Sequence, residues 1–219
     1  MLRIDVITLF PKIFEKYLHS SIIKRAQQKR LVVLEVHNLR NYVKTRHKIV
    51  DEKPYGGGAG MILMADPILK AVDSIKSKFK LKKSKTVVLS AKGRQFDQKK
   101  ALDWAKTKGQ IILISGRYEG IDERVKKALG AEEISIGPYV LTDGDVAAMT
   151  LISAITRLIP GVIRKESLKE ESFSSSEGEY PQYTRPETLI YKGKKYKVPE
   201  VLLTGNHKKI KEWRNKNSR

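Results

Sequence analysis

QIILISGRYEG at residues 110–120 and EISIGPYVLTDG at residues 133–144 are the two stretches that predict the fold. In each, a short apolar strand runs directly into a turn that contains glycine. Because glycine has no side chain to block an approach, such turns can hold a flat polar ligand with main-chain groups. A single glycine of this kind more often marks an ordinary strand-to-helix turn. The grouping of several such turns predicts a small cofactor pocket.

Strand and helix patterns alternate on both sides of these turns. Apolar strands are predicted at residues 3–10, 32–36, 86–90, 111–115 and 133–136. Helices are predicted over residues 11–29, from Asp66, from Asp97, from Ile121 and over residues 145–158. Apolar runs of strand length that alternate with helices are typical of a mostly parallel sheet covered on both faces. We therefore predict an α/β fold.

A change of composition after Gly161 divides the chain. RKESLKEESFSSSEGEY, residues 164–180, is rich in serine, glutamate and lysine and poor in apolar residues, which predicts a mobile linker. The residues that follow have enough apolar side chains for a small helical unit, with Asn206 as the cap of its last helix. We predict a first domain over residues 1–162, a linker over 163–182 and a basic helical domain over 183–219.

Charge and composition restrict the partners. The 219 residues include 44 lysines and arginines against 24 acidic residues, a net charge of +20. Such an excess predicts an anionic partner, with nucleic acid ahead of a membrane surface because the apolar runs are too short to span a bilayer. The chain has no cysteine, which excludes disulfides and thiol catalysis and is compatible with the cytoplasm, where we expect the protein.

Several enzyme classes are excluded because their sequence motifs are absent. YGGGAGM at residues 55–61 lacks the Lys-Ser or Lys-Thr of a nucleotide P-loop, and neither a dinucleotide-binding GxGxxG after a strand nor a GxSxG nucleophile elbow occurs. The four histidines (His19, His37, His47 and His207) lack the spacing of metal ligands. They are interpreted as structural or surface residues, and no metal site is predicted.

An ordered set of longer motifs resembles the bacterial tRNA (guanine-N1)-methyltransferase family, TrmD. These motifs are KPYGGGAGM (53–61), LSAKG (89–93), GRYEGIDERV (116–125), SIGPYVLTDGDVAAM (135–149), TRLIPGV (156–162), EESF (170–173), YPQYTRPE (180–187) and VPEVLLTGNHKKIKEWR (198–214). They cover essentially the whole chain in order. The resemblance implies a homodimeric enzyme of the SPOUT class with a trefoil-knotted cofactor site.

The resemblance also implies the reaction and the cofactor. S-adenosylmethionine would methylate N1 of the guanosine immediately 3′ of the anticodon in tRNA. The residues that the family motifs assign to the cofactor are Ser90, Ala91, Gly93, Gly116, Tyr118, Glu119, Gly120, Ile136, Gly137, Pro138, Tyr139, Val140, Leu141 and Gly144. Most of them lie in the glycine turns identified above from their composition.

The chemistry requires a base and a cation. Guanine N1 carries a hydrogen that a base must remove, and the charge that develops toward O6 needs a positive group nearby. In the family, the base is an aspartate directly before Ser-Phe, and the cation is an arginine before a Pro-Gly pair. The resemblance therefore implies Arg157 and, as a departure from aspartate, Glu171, with neighbouring Glu170 as a rival. Further departures are Ala59 and Ala91, where proline is usual, and Asp143 and Ala147.

RNA contacts are expected in two regions. The residues assigned to tRNA are Arg46, His47, Asp51, Tyr55 and Gly58 in a glycine-rich loop and Lys208, Lys209 and Arg214 near the C-terminus. Phosphate contacts of this kind make binding sensitive to salt. Whether a divalent ion such as magnesium assists is left open. Two other functions also stay open: a SPOUT enzyme with a different RNA target, and an RNA-binding protein without catalysis.

Overall fold

The computed structural model describes residues 1–44, 46–79, 83–164, 167–168 and 179–218. These residues form two compact units, Met1–Ile163 and Arg164–Arg219. Among the helices of the described ranges, none has both the length and the apolar character needed to cross a membrane.

A parallel five-stranded sheet forms the centre of the first unit. Its order is β2 (Val32–Asn38), β1 (Leu2–Thr8), β6 (Gln110–Ser115), β5 (Ser84–Gln95) and β7 (Glu132–Ser135). All four strand pairs run parallel. Every residue of β1 and β6 is buried, as expected for central strands with both faces covered. The α/β prediction is confirmed.

Helices pack on both faces of this sheet. Ile112 and Ile114 of β6 join a buried cluster with Ile68 and Val72 of α3 (Ala65–Phe79) and Val125 of α5 (Glu123–Leu129). On the other face, α6 (Gly144–Leu158) lies against β1, β5 and β6. Three further helices contact α6 there: α1 (Lys12–Leu18), α2 (Ser21–Gln28) and α4 (Gln98–Ala105).

The single helix predicted over residues 11–29 was wrong, because two helices meet there. α1 ends at Leu18, Ser20 is extended with ψ 150°, and Ser21 has a φ of +45°. The Ser20 hydroxyl donates a hydrogen bond to the carbonyl of Lys16. Serine side chains that bond to the backbone in this way compete with helix continuation, which accounts for the break.

The stretch between β2 and α3, for which no strand or helix is predicted, contains short regular elements. A 3₁₀ turn covers Leu39–Tyr42, and β3 (Asp51–Glu52) pairs antiparallel with β4 (Ile62–Leu63). The Met64 amide donates a 2.8 Å hydrogen bond to the carbonyl of buried Val50. The β3–β4 pair therefore closes the base of the glycine-rich segment at residues 54–60.

The C-terminal unit is not solely helical, so that part of the prediction was wrong. β8 (Thr188–Tyr191) and β9 (Lys194–Lys197) form an antiparallel hairpin ahead of a 3₁₀ turn at Glu200–Leu203 and α7 (His207–Asn217). Lys192 and Gly193 in the two-residue turn both have positive φ, at 49° and 74°, which matches the twist of a hairpin. As predicted, Asn206 caps the last helix by accepting from the Lys209 amide at 3.1 Å.

Candidate active site

A cavity of about 390 Å³ opens where β5, β6 and β7 end. Its walls come from residues 88–92, 116–123 and 133–136, together with the stretch 139–144 that leads into α6. The ends of parallel strands are the usual place for ligand sites in open α/β sheets, because the strand-to-helix loops meet there. The cavity coincides with the glycine turns that the sequence singled out.

The first wall is a bulge in β5. Leu89 and Arg94 both pair with Ile134 of β7, so the residues between them leave the ladder. A Cβ on Gly93 would lie 2.6 Å from backbone atoms of Glu133 and Ile134. Glycine is therefore required here for β5 to return against β7 after the bulge. The freed residues Ser90, Ala91 and Lys92 line the cavity.

The second wall is the loop that follows β6. Tyr118 has a φ of +56° and Gly120 one of +123°, and the loop is joined to the segment around β4. Three backbone hydrogen bonds of 3.0 Å make this connection: Glu119 N to Met61 O, Leu63 N to Gly120 O, and Asp122 N to Leu63 O. The glycine-rich segment at 54–60 is consequently anchored beside the cavity.

The third wall is the turn between β7 and α6. The Ser135 hydroxyl donates to the Gly137 carbonyl at 2.9 Å, and the Tyr139 hydroxyl donates to the Ile136 carbonyl at 3.2 Å. A Cβ on Gly137 would lie 2.3 Å from the Tyr139 ring. Glycine at 137 therefore lets the Tyr139 ring fold back over the turn, with 52% of the residue exposed.

Arg117 links three parts of the site electrostatically. Its guanidinium lies 3.3 Å from carboxylate oxygens of Asp143 and of Asp145, and it stacks 4.3 Å from the Phe10 ring centroid. Asp145 is fully buried and also accepts a 2.6 Å hydrogen bond from the Thr8 hydroxyl. The loop after β6, the end of β1 and the start of α6 are thereby held in one arrangement.

Charged side chains of both signs stand at the mouth of the cavity. Lys126 contacts Glu123 at 2.7 Å and Glu133 at 3.1 Å, and Lys92 lies within 4 Å of the same two carboxylates. The hydrogen bond from Lys126 lowers the pKa of Glu123, and the bonds to Glu123 and Glu133 raise the pKa of Lys126. Glu123 and Lys126 therefore stay ionised at neutral pH, and the four side chains together offer both donors and acceptors to a polar ligand.

The sequence-predicted cofactor residues converge on this cavity with three exceptions. Gly93, Gly137 and Pro138 are not among its lining residues, whereas all the others are. Arg117, Asp143 and the Glu123–Lys126 pair also line the cavity but were not predicted to bind the cofactor, whereas Lys92 lies inside the predicted stretch from Ser90 to Gly93. Arg117 lies between Gly116 and Tyr118 in the motif GRYEG, and its position between two predicted cofactor residues could have indicated it.

Of the residues expected to act on guanine, Arg157 is in the described ranges, and it does not line the cavity. Arg157 lies half-buried in the last turn of α6, whereas the cavity lies at the first turn of the same helix. Glu171 and its rival Glu170 lie outside the described residues.

The residues expected to contact RNA differ in their surroundings. Arg46, His47, Tyr55 and Gly58 are exposed, and Asp51 is half-buried in β3. Lys208 and Lys209 are exposed in the first turn of α7. Arg214 is half-buried, and its guanidinium stacks 4.5 Å from the Tyr180 ring. Arg214 therefore packs within the C-terminal unit, in addition to its predicted contact with RNA.

One group of side chains in the described ranges has the geometry of metal ligands. Asp5, Glu35 and His37 each offer an atom within 4.8 Å of the others. Arg3 donates to both carboxylates, with 2.7 Å to Asp5 Oδ1, and Asp5 also accepts from Gln110 at 2.7 Å. The guanidinium supplies the positive charge that a metal would bring, so the cluster is a partly buried ion-pair network centred on buried Asp5.

Comparisons with known proteins agree on one family. A family model described as tRNA (Guanine-1)-methyltransferase TrmD matches residues 2–219. Three curated proteins called tRNA (guanine-N(1)-)-methyltransferase are similar over 99% of this chain. The protein of Carboxydothermus hydrogenoformans is 49% identical over 218 residues, which cover 83% of its length. Those of Dictyoglomus turgidum and Bacillus pumilus are each 48% identical, over 84% and 87% of their lengths.

Proposed function

Because the chain belongs to the tRNA (guanine-1)-methyltransferase TrmD family, we propose that it methylates N1 of the guanosine immediately 3′ of the anticodon in tRNA. S-adenosylmethionine is the proposed methyl donor. The observation that carries the proposal is the cavity at the ends of β5, β6 and β7, because the family motifs GRYEG and SIGPYVL form two of its walls.

The cavity suits S-adenosylmethionine in size and chemistry. Its volume of about 390 Å³ lies in the range of small-molecule sites. Leu89, Ile136 and Leu141 line it with apolar surface suited to a purine ring, and Glu119 contributes a carboxylate suited to a cationic sulfonium. A Cβ on Gly120 would meet nothing within 4 Å, so the backbone there is open to a ligand. When bound, the cofactor supplies an electrophilic methyl group.

The protein's contribution to the transfer is positioning and proton removal. Alignment of the methyl group with the nucleophilic nitrogen supplies much of the acceleration in such a transfer. Glu171 is proposed to take the hydrogen from N1, and Arg157 to stabilise the negative charge that develops at O6.

The position of Arg157 supports a homodimer with a shared site. Arg157 lies thirteen positions after Gly144 and ten after Ala147, which are both in the cavity wall, so at the rise of an α-helix its backbone is at least about 15 Å from that wall. An arginine side chain is much shorter than this distance, and Arg157 cannot serve the cavity of its own subunit. We propose that each cavity is completed by Arg157 of the partner subunit across a two-fold axis.

The family's trefoil knot is proposed as well. Its support is the close approach of two segments that are distant in sequence: the first turn of α6 begins against the loop after β6, with Gly144 N donating to Gly116 O at 2.9 Å. Substrate RNA is proposed to contact the exposed glycine-rich segment at 54–60 and the lysines at the start of α7.

The experiment that tests the activity uses labelled S-adenosylmethionine and an unmodified tRNA transcript. We expect label in N1-methylguanosine after nuclease digestion. We expect none when adenosine replaces the guanosine beside the anticodon, because adenosine offers neither an N1–H group to the proposed base nor an O6 atom to Arg157, so it would not be positioned for transfer. Parallel reactions with EDTA and with added magnesium test whether a divalent ion takes part. Label at another nucleotide would contradict the proposal.

The proposed base is tested against its neighbour. Glu171→Gln is expected to abolish turnover while cofactor affinity, measured by calorimetry, stays unchanged. Glu170→Gln, one residue away and with the same change of charge, is the matched control and should remain active. The opposite result would assign the base to Glu170.

The shared site is tested by mixing two inactive variants. Arg157→Ala leaves the cavity intact, and Gly116→Trp fills it, so each homodimer should be inactive. After joint refolding, a mixed dimer contains one intact pair of Arg157 and cavity, and about a quarter of the sites should recover if two-fold dimers form at random. Absence of any recovery, with mixed dimers present, would contradict a site shared between subunits.

A further inference from the structure

The β8–β9 hairpin of the C-terminal unit exposes apolar and basic side chains together. All eight of its strand residues are exposed, and Leu189, Ile190, Tyr191 and Tyr196 are between 53% and 64% exposed. A two-stranded hairpin is marginally stable by itself, and grouped large apolar side chains on a surface mark a contact site. The hairpin therefore has the properties of a surface that a partner covers.

The strand register divides these side chains between two faces. Leu189 is paired with Tyr196, and Tyr191 with Lys194. Because side chains alternate along a strand, these four share one face. The other face carries Thr188, Ile190, Lys195 and Lys197. One face is thus mainly aromatic and apolar with a lysine at its edge, and the other combines two lysines with a threonine and an isoleucine.

The charge of the hairpin selects the kind of partner. Residues 188–199 contain four lysines (Lys192, Lys194, Lys195 and Lys197) and no acidic residue. The Lys192 Nζ atom lies 5.5 Å from the Tyr191 ring centroid, so cation and aromatic ring stand side by side. A second copy of this chain, with its net charge of +20, is a poor match for such a surface, whereas a polyanion is a good one.

We propose that the hairpin binds an unpaired segment of RNA, with bases stacked on Tyr191 and Tyr196 and phosphates held by the lysines. Aromatic rings that stack on splayed bases, beside cations that follow the backbone, are the recurring means of binding single-stranded RNA. Paired RNA fits less well, because the major groove of an A-form helix is too deep and narrow for side chains to read. That the RNA is the tRNA substrate rests on the proposed function.

Two sets of substitutions separate stacking from charge. One variant combines Tyr191→Ser and Tyr196→Ser, and the other combines Lys192→Gln, Lys194→Gln, Lys195→Gln and Lys197→Gln. The matched control replaces four exposed lysines of the first unit: Lys24→Gln, Lys29→Gln, Lys99→Gln and Lys106→Gln. Binding of fluorescent tRNA transcript, of an unstructured RNA oligomer and of an RNA duplex is measured by anisotropy at several salt concentrations. Cofactor affinity and thermal unfolding verify that each variant is folded.

The proposal predicts distinct results for the two sets. The tyrosine variant should bind tRNA and the unstructured oligomer about 10-fold to 100-fold more weakly, with little change of the salt dependence. The lysine variant should lower the slope of log affinity against log salt by about 2 to 3. The RNA affinity of the lysine control variant should change less than that of either hairpin variant. Among the three RNAs, binding of the duplex should be affected least.

Three outcomes would overturn the proposal. They are unchanged RNA affinity in both hairpin variants, an equal loss in the control, and a change in oligomeric state by sedimentation with RNA affinity intact, which would identify a protein interface. Failure of the methylation proposal has a different signature, because the parent protein would lack methyl transfer while its RNA affinity still depended on the hairpin.

Discussion

The Gly144 amide donates a 2.9 Å hydrogen bond to the Gly116 carbonyl, so helix α6 starts directly against the loop that follows β6. A Cβ on Gly144 would lie 2.8 Å from the Gly116 nitrogen and 3.0 Å from the Ser115 Cα. These are backbone atoms that cannot rotate away. The contact joins two walls of the proposed cofactor cavity, and its closeness depends on glycine.

Gly144→Ala is therefore expected to disturb the cavity. We expect a loss of about 1 to 3 kcal/mol in the free energy of unfolding from overpacking and at least about 10-fold weaker S-adenosylmethionine binding by calorimetry. Gly130→Ala is the control, because Gly130 has a φ of +55° but open space around its Cβ. It should cost about 1 kcal/mol of stability and leave cofactor affinity unchanged.

Gly60→Ala tests the connection between the glycine-rich segment and the cavity. A Cβ there would lie 2.6 Å from the Glu119 side chain, and Gly60 has a φ of +77°. Gly57 has a similar φ of +81° with nothing within 4 Å, so Gly57→Ala imposes a similar backbone strain without the contact. We expect weaker cofactor binding for Gly60→Ala only, and equal affinities in the two variants would contradict a role for this contact.

Arg117→Ala should destabilise the fold much more than the loss of an exposed arginine does. It removes the cation beside buried Asp145 and should lower the free energy of unfolding by about 3 kcal/mol, together with cofactor affinity. Arg124→Ala breaks a 2.6 Å pair with Asp122 in which the arginine side chain is 73% exposed, and ion pairs open to solvent contribute little to stability. Urea unfolding measures the stability of both variants. A similar loss in the free energy of unfolding for Arg117→Ala and Arg124→Ala would contradict the structural role of Arg117.

Asp5→Asn should show a stability loss that depends on pH. Burial acts to raise the pKa of Asp5, but hydrogen bonds from His37, Arg3 and Gln110 outweigh it and hold the pKa below its ordinary value. The ionised form therefore stabilises the fold above the unfolded-state pKa of about 4, and this contribution disappears as pH falls through the lower folded-state pKa. We expect a difference of about 3 kcal/mol at neutral pH.

The measurement for Asp5 is urea unfolding of parent and variant from neutral to acidic pH. The difference between them should shrink as the parent's carboxylate becomes protonated. Asp103→Asn, at an exposed position of α4, is the control and should have little effect at either end of the range. A difference for Asp5→Asn that stays constant with pH would show that charge is not what the network requires.

Much of the fold could be predicted because its strands are short, apolar and continuous. IILIS in β6 is buried on both faces of the sheet, and a run of that kind has few alternatives in a chain of alternating elements. The break between α1 and α2 was missed because the periodicity of the apolar residues continues through it, while the competing hydrogen bonds of His19 and Ser20 are local. The hairpin was missed because its strands bury nothing within their unit, so the usual pattern of core residues is absent.

By itself, the amino-acid sequence determined the class of fold, the glycine turns and the family, since these follow from local periodicity and from motifs read in order. Tertiary structure alone decided which residues meet: the β5 bulge that turns Ser90 and Lys92 into the cavity, and the contact of Gly144 with Gly116. The physical reason is that strand order and helix length set distances between residues far apart in sequence, and no local pattern encodes those distances.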